Sequence, residues 1–410
     1  MGKPLRKVAI VGGATTPMKA RHVDKTYYEL ALWAAKDAMA QAKVGREDIE
    51  SCVYGIYNDL FERQFMPDFF VHDYLGMGLK PGIRVTTGGA TGGSAVITGF
   101  AQVASGLYDL ALVVGCEKCS DCFNYETGRP APEILQVLRY AADMSFESPT
   151  GRTAATVFAL PLVAHQARYG GEPTERQMAL VSVKNHGNAK QNPRAHSPLD
   201  LTIEDVLKSR MICYPFKFYD NCLYSEGAAA LILASEEKAR ELTDTPVWIT
   251  GVGASLDYAQ MGNRYLEDPE SGILEFRSSI VAANKAYEMA GIKRPDREID
   301  FAELHDAFTG TEILAYEDCG FCEKGRGGRL LDEGAVMRGG RLPVNPSGGL
   351  IGMGHPVGAT GIMQTVEAFL QCRGQAGGRQ VRNARRGLVQ SIGAVGCAWT
   401  VALILERDEK

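Results

Sequence analysis

The sequence predicts a soluble α/β enzyme built from two similar halves. Three observations carry that expectation. Short apolar runs alternate with helix-forming stretches, one helical segment recurs later at a fixed offset, and the glycines gather in a few loops. Strand-length runs alternating with helices call for a mainly parallel sheet covered on both faces. The 410 residues, 45% hydrophobic and 23% charged, suffice for two packed halves or two to three domains. Lys and Arg total 44 against 49 Asp and Glu, a net charge of −5 without a basic stripe, which argues against a nucleic-acid binder. The longest apolar stretches, such as 110–114 and 401–405, fall far short of the roughly 20 residues that a bilayer span needs. Residues 1–10 run into a strand pattern rather than a signal peptide's apolar core. Ten cysteines are too sparse for a disulfide scaffold. The expectation is a cytoplasmic protein with neither a membrane nor a nucleic-acid partner.

Lys7 to Val11 ends at Gly12-Gly13 and reads as a buried strand. Residues 27–43 set Ala34, Ala35, Ala38 and Ala42 at helical spacing. Asp48-Ile49 leads into a strand at 53–56. A helix from Gly92 to Gly106 follows a glycine-rich loop, and Leu107 to Gly115 is a strongly apolar strand. Sliding the chain by 248 positions lays the four alanines on Ala282, Ala283, Ala286 and Ala290. A shorter echo joins Gly89-Ala90-Thr91-Gly92 to Gly358-Ala359-Thr360-Gly361, each opening a helix. Two echoes in the same order indicate duplication. The layout expected is a first half at 1–120 with 225–275, an insertion at 121–224 and a second half at 276–410. An insertion this long, with irregular loops at 192–198 and 214–224, is expected to cover a substrate.

Two segments carry candidate chemistry. In 345–361 (NPSGGLIGMGHPVGATG) the glycines let a flat group lie against the main chain, and His355 stands just before a helix start suited to developing negative charge. In 301–309 (FAELHDAFT) a strand end turns into a helix at His305 and Asp306, where α/β sheets place active groups. The spacings Cys116-x-x-Cys119-x-x-Cys122 and Cys319-x-x-Cys322 are used by metal sites, but they lie in different halves, and buried cysteine commonly behaves as a small hydrophobe. No metal is expected.

The histidine loop Gly354 to Gly361 resembles that of the thiolase superfamily, and Glu303 to Thr309 is similar to the His-Asp-Cys-Phe motif of sterol-carrier-protein-type thiolases and their archaeal relatives. Lys184-Asn185-His186, Asn192-Pro193 and Ala195-His196 resemble the covering segment of that group, and Ser225 to Ala230 its return to the core. The likeness spans essentially the whole chain. It implies a duplicated, five-layered α-β-α-β-α thiolase fold with an inserted loop domain. It also implies a CoA thioester as substrate, no permanently bound cofactor, a homodimeric core and a small zinc-ribbon/OB-fold partner subunit. By the same likeness His305 and His355 are catalytic, and the backbones of Gly89, Gly393 and Gly396 stabilise an oxyanion. Asn185, His186, Ser347 and Gly348 are expected to hold coenzyme A.

The departures matter. The position of the family's nucleophilic cysteine is Gly89, the second thiol's place is Ala307, and the C-terminal loop has lost its usual Cys-x-Gly form, with Cys397 slightly beyond it as a partial stand-in. The expected reaction is thiolytic cleavage or Claisen condensation of a bulky β-ketoacyl-CoA, with His355 activating coenzyme A directly. Retro-aldol cleavage of a β-hydroxyacyl-CoA also fits, since it needs a base and enolate stabilisation but no acyl-enzyme. Thiolase-like aldolases that lack the cysteine tend also to lose the histidine loop, which this chain keeps. A non-catalytic CoA-binding subunit is compatible with the same residues, as is a nucleophile from elsewhere, with Cys116, Cys119 and Cys122 nearest in sequence.

Overall fold

Apolar runs become strands β1 (Val8–Thr15), β2 (Ser51–Gly55), β3 (Gly82–Val85), β4 (Leu110–Glu117), β5 (Gly227–Ser235), β6 (Val247–Leu256), β7 (Phe301–Glu303), β8 (Arg386–Gly393) and β9 (Trp399–Arg407). The computed structural model describes residues 5–119, 123–124, 129–130, 143–393 and 395–408. Among these, the nine strands are hydrogen-bonded in the order β7-β8-β9-β6-β1-β5-β4-β2-β3. Each half repeats one pattern, β1-β5-β4-β2 against β6-β9-β8-β7, which is the duplication the alanine echo anticipated.

The sheet is mixed, which corrects the expectation of mainly parallel pairing. Only β2/β3, β2/β4 and β7/β8 are parallel neighbours. One reversed strand is interposed in each half, β5 between β1 and β4 and β9 between β6 and β8, so their ladders run antiparallel. For β9 the reversal follows from its short return from β8, a connection that only antiparallel neighbours tolerate. A second correction concerns the boundary. β6 pairs with β9 from Val247 to Leu256 but meets β1 only at Trp248 and Val247, so it belongs to the second half although it lies within 225–275.

The helices that position the site are α1 (Tyr27–Ala42), α2 (Thr91–Ala104), α3 (Ala154–Arg168), α4 (Glu175–Ala189), α5 (Arg277–Ala290), α6 (Thr309–Asp318) and α7 (Thr360–Arg373). Thr26 caps α1 by accepting the Glu29 N–H, and Glu29 answers in a capping box. Ala34, Ala35, Ala38 and Ala42 face β1, β4 and β5, and Ala282, Ala283 and Ala286 face β6 and β9. The closeness is such that a side chain on Gly12 would overlap the carbonyl oxygen of Ala38, and one on Gly253 that of Ala282. Helices α2 and α7 pack on each other between the two halves of the sheet, giving five layers. A Cβ on Gly92 would lie 2.6 Å from the Gly361 nitrogen, so the two helix starts meet backbone to backbone. The middle core includes Val96, Phe100, Ile362, Val366, Leu231 and Leu403. Each such side chain contributes about 1.5–3 kcal/mol on burial. No helix among the described residues is long and apolar enough to cross a membrane.

Candidate active site

The loop around His355 is shaped by residues in left-handed backbone, Asn345, Gly348, Gly349 and Gly354, and it folds over a buried polar brace. Asp306 accepts the N–H groups of Leu350 (2.6 Å) and Ile351 (3.3 Å) and the side-chain amide of Asn185 (2.7 Å). Glu312 accepts from Asn185 (2.6 Å), Asn345 (2.7 Å), Tyr316 and the Lys184 ammonium (2.8 Å). Burial and the neighbouring Glu312 push the Asp306 carboxyl up to about 7 against its donated N–H bonds. The brace ties α4, α6 and the histidine loop into one rigid unit.

That unit holds two imidazoles 5.3 Å apart, centre to centre and edge to face. The His355 backbone N–H donates to Ser225 Oγ (2.9 Å), and its ring Nδ1 lies 2.7 Å from Thr360 Oγ1. Thr360 gives its single hydroxyl proton to the Pro356 carbonyl (2.9 Å), so it accepts from Nδ1–H, which leaves the His355 Nε2 lone pair bare. Burial pushes His355 down to about 4. Burial, and secondarily His355, pushes His305 well below its ordinary value, so both rings are neutral at pH 7. The His305 main-chain N–H donates to Gln390 (3.0 Å), and its ring Nδ1 has no hydrogen-bond partner among the described residues.

Both rings line a cavity of about 680 Å³. Gly89, Gly393, Gly396 and Cys397 line it too, so the structure brings together every expected catalytic and oxyanion position. A Cβ on Gly89 would lie 2.5 Å from the Ile392 carbonyl oxygen and 3.2 Å from His305 Nε2. The main chain has closed over the place where a nucleophile's side chain would begin. One wall is aromatic, with Phe308 against Phe158 (4.9 Å) and stacked on Phe216 (4.8 Å), and Ala307 leaves room beside it.

Four residues expected to hold coenzyme A lie away from this cavity. Asn185, His186, Ser347 and Gly348 do not line the cavity. Asn185 is spent on the brace, His186 Nδ1 on the Ser197 carbonyl (2.7 Å), Ser347 on the Glu303 carboxylate (2.7 Å), and Gly348 packs against Ala189. Their polar groups are engaged in the interior, away from this cavity. Cys116 and Cys119 are also buried away from the cavity, and Cys122 lies outside the described residues. Among the described residues the thiols that line it are Cys397, Cys213 and Cys222, of which sequence reasoning missed the last two. Burial pushes Cys222 and Cys397 up to about 12 and raises Cys213, so none is a ready thiolate. The Cys222 N–H donates to the Ala307 carbonyl (2.9 Å), a cross-strand pairing that no local motif announces. Tyr57, Arg152, Asn221 and Tyr224 were missed as well. The insertion supplies Arg152, Phe158, Cys222 and Tyr224 to the cavity lining.

The family profile "Thiolase, N-terminal domain" matches residues 8–199, and "Thiolase C-terminal domain-like" matches 268–407. The chain belongs to the thiolase family. This thiolase-family chain is 37% identical over 393 residues to an acetyl-CoA acetyltransferase of Methanothermobacter thermautotrophicus, covering 96% of this chain and 97% of that one. It is 32% identical to sterol carrier protein 2 of Oryctolagus cuniculus, covering 96% of this chain and 71% of that protein. Among solved structures it is similar to one described as an Ltp2-ChsH2(DUF35) aldolase, with TM-score 0.80, 25% identity and 98% of each chain covered. The thiolase fold, expected from the histidine loop, and the likeness to the sterol-carrier-protein branch, expected from Glu303 to Thr309, are borne out.

Proposed function

We propose that this thiolase-family protein makes or breaks the bond between the α- and β-carbons of a bulky acyl-CoA by an aldol route, without an acyl-cysteine. The observation that carries this reading is the Ile392 carbonyl 2.5 Å from where a Gly89 Cβ would stand, while burial raises the thiols that line the cavity among the described residues. Thiolysis normally reuses one binding site in turn, because an acyl-enzyme stores the first fragment. Without that store, the thioester substrate and a second coenzyme A bearing the free thiol must be held together, whereas retro-aldol cleavage needs one coenzyme A arm. In the cleavage direction the bare His355 Nε2 takes the proton of the β-hydroxyl. The Cα–Cβ bond breaks, its electron pair moves to the thioester oxygen as an enolate, and the β-carbon leaves as an aldehyde or ketone. His305 donates its N–H to the enolate oxygen, helped by main chain at Gly89, Gly393 and Gly396. His355 then returns its proton to Cα. The aldolase among the similar structures supports this reading.

A second reading, thiolytic cleavage or condensation with coenzyme A itself attacking, is supported by the 37% identity to an acetyl-CoA acetyltransferase. Product analysis separates the two. Mass spectrometry of incubations with aryl-substituted 3-hydroxyacyl-CoA and 3-ketoacyl-CoA should find a free carbonyl compound from the former and no consumption of coenzyme A. A second CoA ester formed from the latter at comparable rate would favour thiolysis. No turnover of either ester, unchanged by His355→Ala, would favour a CoA-binding subunit without chemistry. We also propose a cytoplasmic homodimer working with a small partner subunit. The two-component name of the similar aldolase supports the partner, and the exposed Phe69, Phe70 and Ile83 near edge strand β3 offer an apolar contact surface.

A further inference from the structure

Arg152, just ahead of α3 in the insertion, is the only lysine or arginine among the described residues that line the cavity, and no Asp or Glu among the described residues lines it. Its side chain is 5% exposed, and Nη1 meets the Glu147 carboxylate. Nε and Nη2 are buried without a hydrogen-bond partner among the described residues. Those two atoms share one edge of the planar guanidinium, the edge that receives a carboxylate side-on through two parallel hydrogen bonds. The neighbouring Arg264 is differently placed, since it is occupied by the carbonyls of Tyr258 and Gly396. Gly396 has no side chain to wedge in: a Cβ there would stand 3.4 Å from Arg152 Nη2. Among the described residues the cavity therefore combines an aromatic wall, a neutral imidazole pair and one cation with an unused bidentate edge.

We propose that Arg152 is a specificity residue for a carboxylate carried on the acyl chain, so that the substrates are CoA monoesters of dicarboxylic acids. The apolar body would lie along Phe158 and Phe308, with the anionic group at Arg152. This rests on the acyl-CoA reading above and adds the charge of the acyl group to it.

Isothermal titration of the purified full-length protein tests it without requiring turnover. The probes are succinyl-, glutaryl- and adipyl-CoA, each paired with the neutral ester of equal length, with free coenzyme A as the source of phosphate alone. At least one diacid ester should bind about tenfold or more tightly than its neutral partner. Arg152→Gln should bring that ratio to about one, with a melting curve confirming a folded chain. Glu147→Gln, which releases the competing carboxylate, should raise the ratio, and this second variant keeps the test open if Arg152→Gln fails to fold. Equal binding of paired esters by the wild type would overturn the proposal, as would a preference that survives Arg152→Gln or a ratio that Glu147→Gln leaves unmoved. An equal loss for free coenzyme A would assign Arg152 to a phosphate and overturn it too. If no ester binds at all, the acyl-CoA reading falls with it, an outcome distinct from equal binding.

Discussion

Thr360 decides which nitrogen of His355 faces the cavity. Because its hydroxyl proton goes to Pro356, it locks Nδ1–H and exposes Nε2 as an acceptor. His355→Ala should lower turnover by about 10²–10⁴. Thr360→Val should lower kcat about tenfold, ~1.4 kcal/mol in the barrier, with KM nearly unchanged, because the ring stays but its tautomer is freed. With His355 depressed to about 4, the base is already unprotonated at neutral pH, and activity should be lost only as pH falls through about 4. A fall centred near the ordinary imidazole value of 6.5 would count against His355 as the base. Gly89→Cys should form no covalent acyl adduct by intact-mass measurement. It should also lower stability by ~1–3 kcal/mol, because its Cβ meets the Ile392 carbonyl. His355 was legible in the sequence because unusual backbone leaves glycine as its mark, and His305 because it stands where a strand end turns into a helix. That Asn185, His186, Ser347 and Gly348 turn to interior partners rather than to this cavity was not legible, because a motif does not say which way a polar group turns.

Helix α4 and the histidine loop depend on each other through Asn185, which bridges two buried carboxylates. Asn185→Ala leaves both short of a donor, and chemical denaturation should show a loss of ~1–3 kcal/mol or more. Retained stability would mean that the brace relaxes around the gap. At this scale most strands and helices were readable from apolar runs and alanine spacing. The interposed strands β5 and β9 were not, because strand direction depends on which neighbour the chain returns to, and a period-2 or period-3.6 pattern carries no such information. Cys213 and Cys222 escaped for a related reason. Cys222 is placed by pairing across to Ala307 beside the Asn221–Phe308 bridge, and Cys213 by its bridge to Phe216.

Across the whole molecule, Glu117 joins the halves: at the end of β4 it accepts the N–H of Gly358 (2.8 Å) from the histidine loop as well as that of Tyr57 (3.2 Å). Burial pushes its carboxyl up to about 8. A folded value above the ordinary 4.5 means that Glu117 contributes stability which is fully present below about 4.5 and is lost as pH rises through about 8. Glu117→Gln should flatten the decline in melting temperature over that window, and an unchanged slope would show that the group is ionised throughout. Sedimentation of the wild type should give twice the 44.4 kDa chain mass, and Phe69→Asp should shift it toward the monomer.

The duplication was readable from two short echoes, but not its most consequential detail, the meeting of Gly92 with Gly361. Since each begins the helix that follows one wall of the cavity, neither copy of the ancestral unit can drift alone. A methyl added on either side would pry both walls apart at once. Deep mutational scanning should therefore find these two chemically inert positions among the least forgiving in the protein, and should find that damage at one is not repaired by changes confined to its own half.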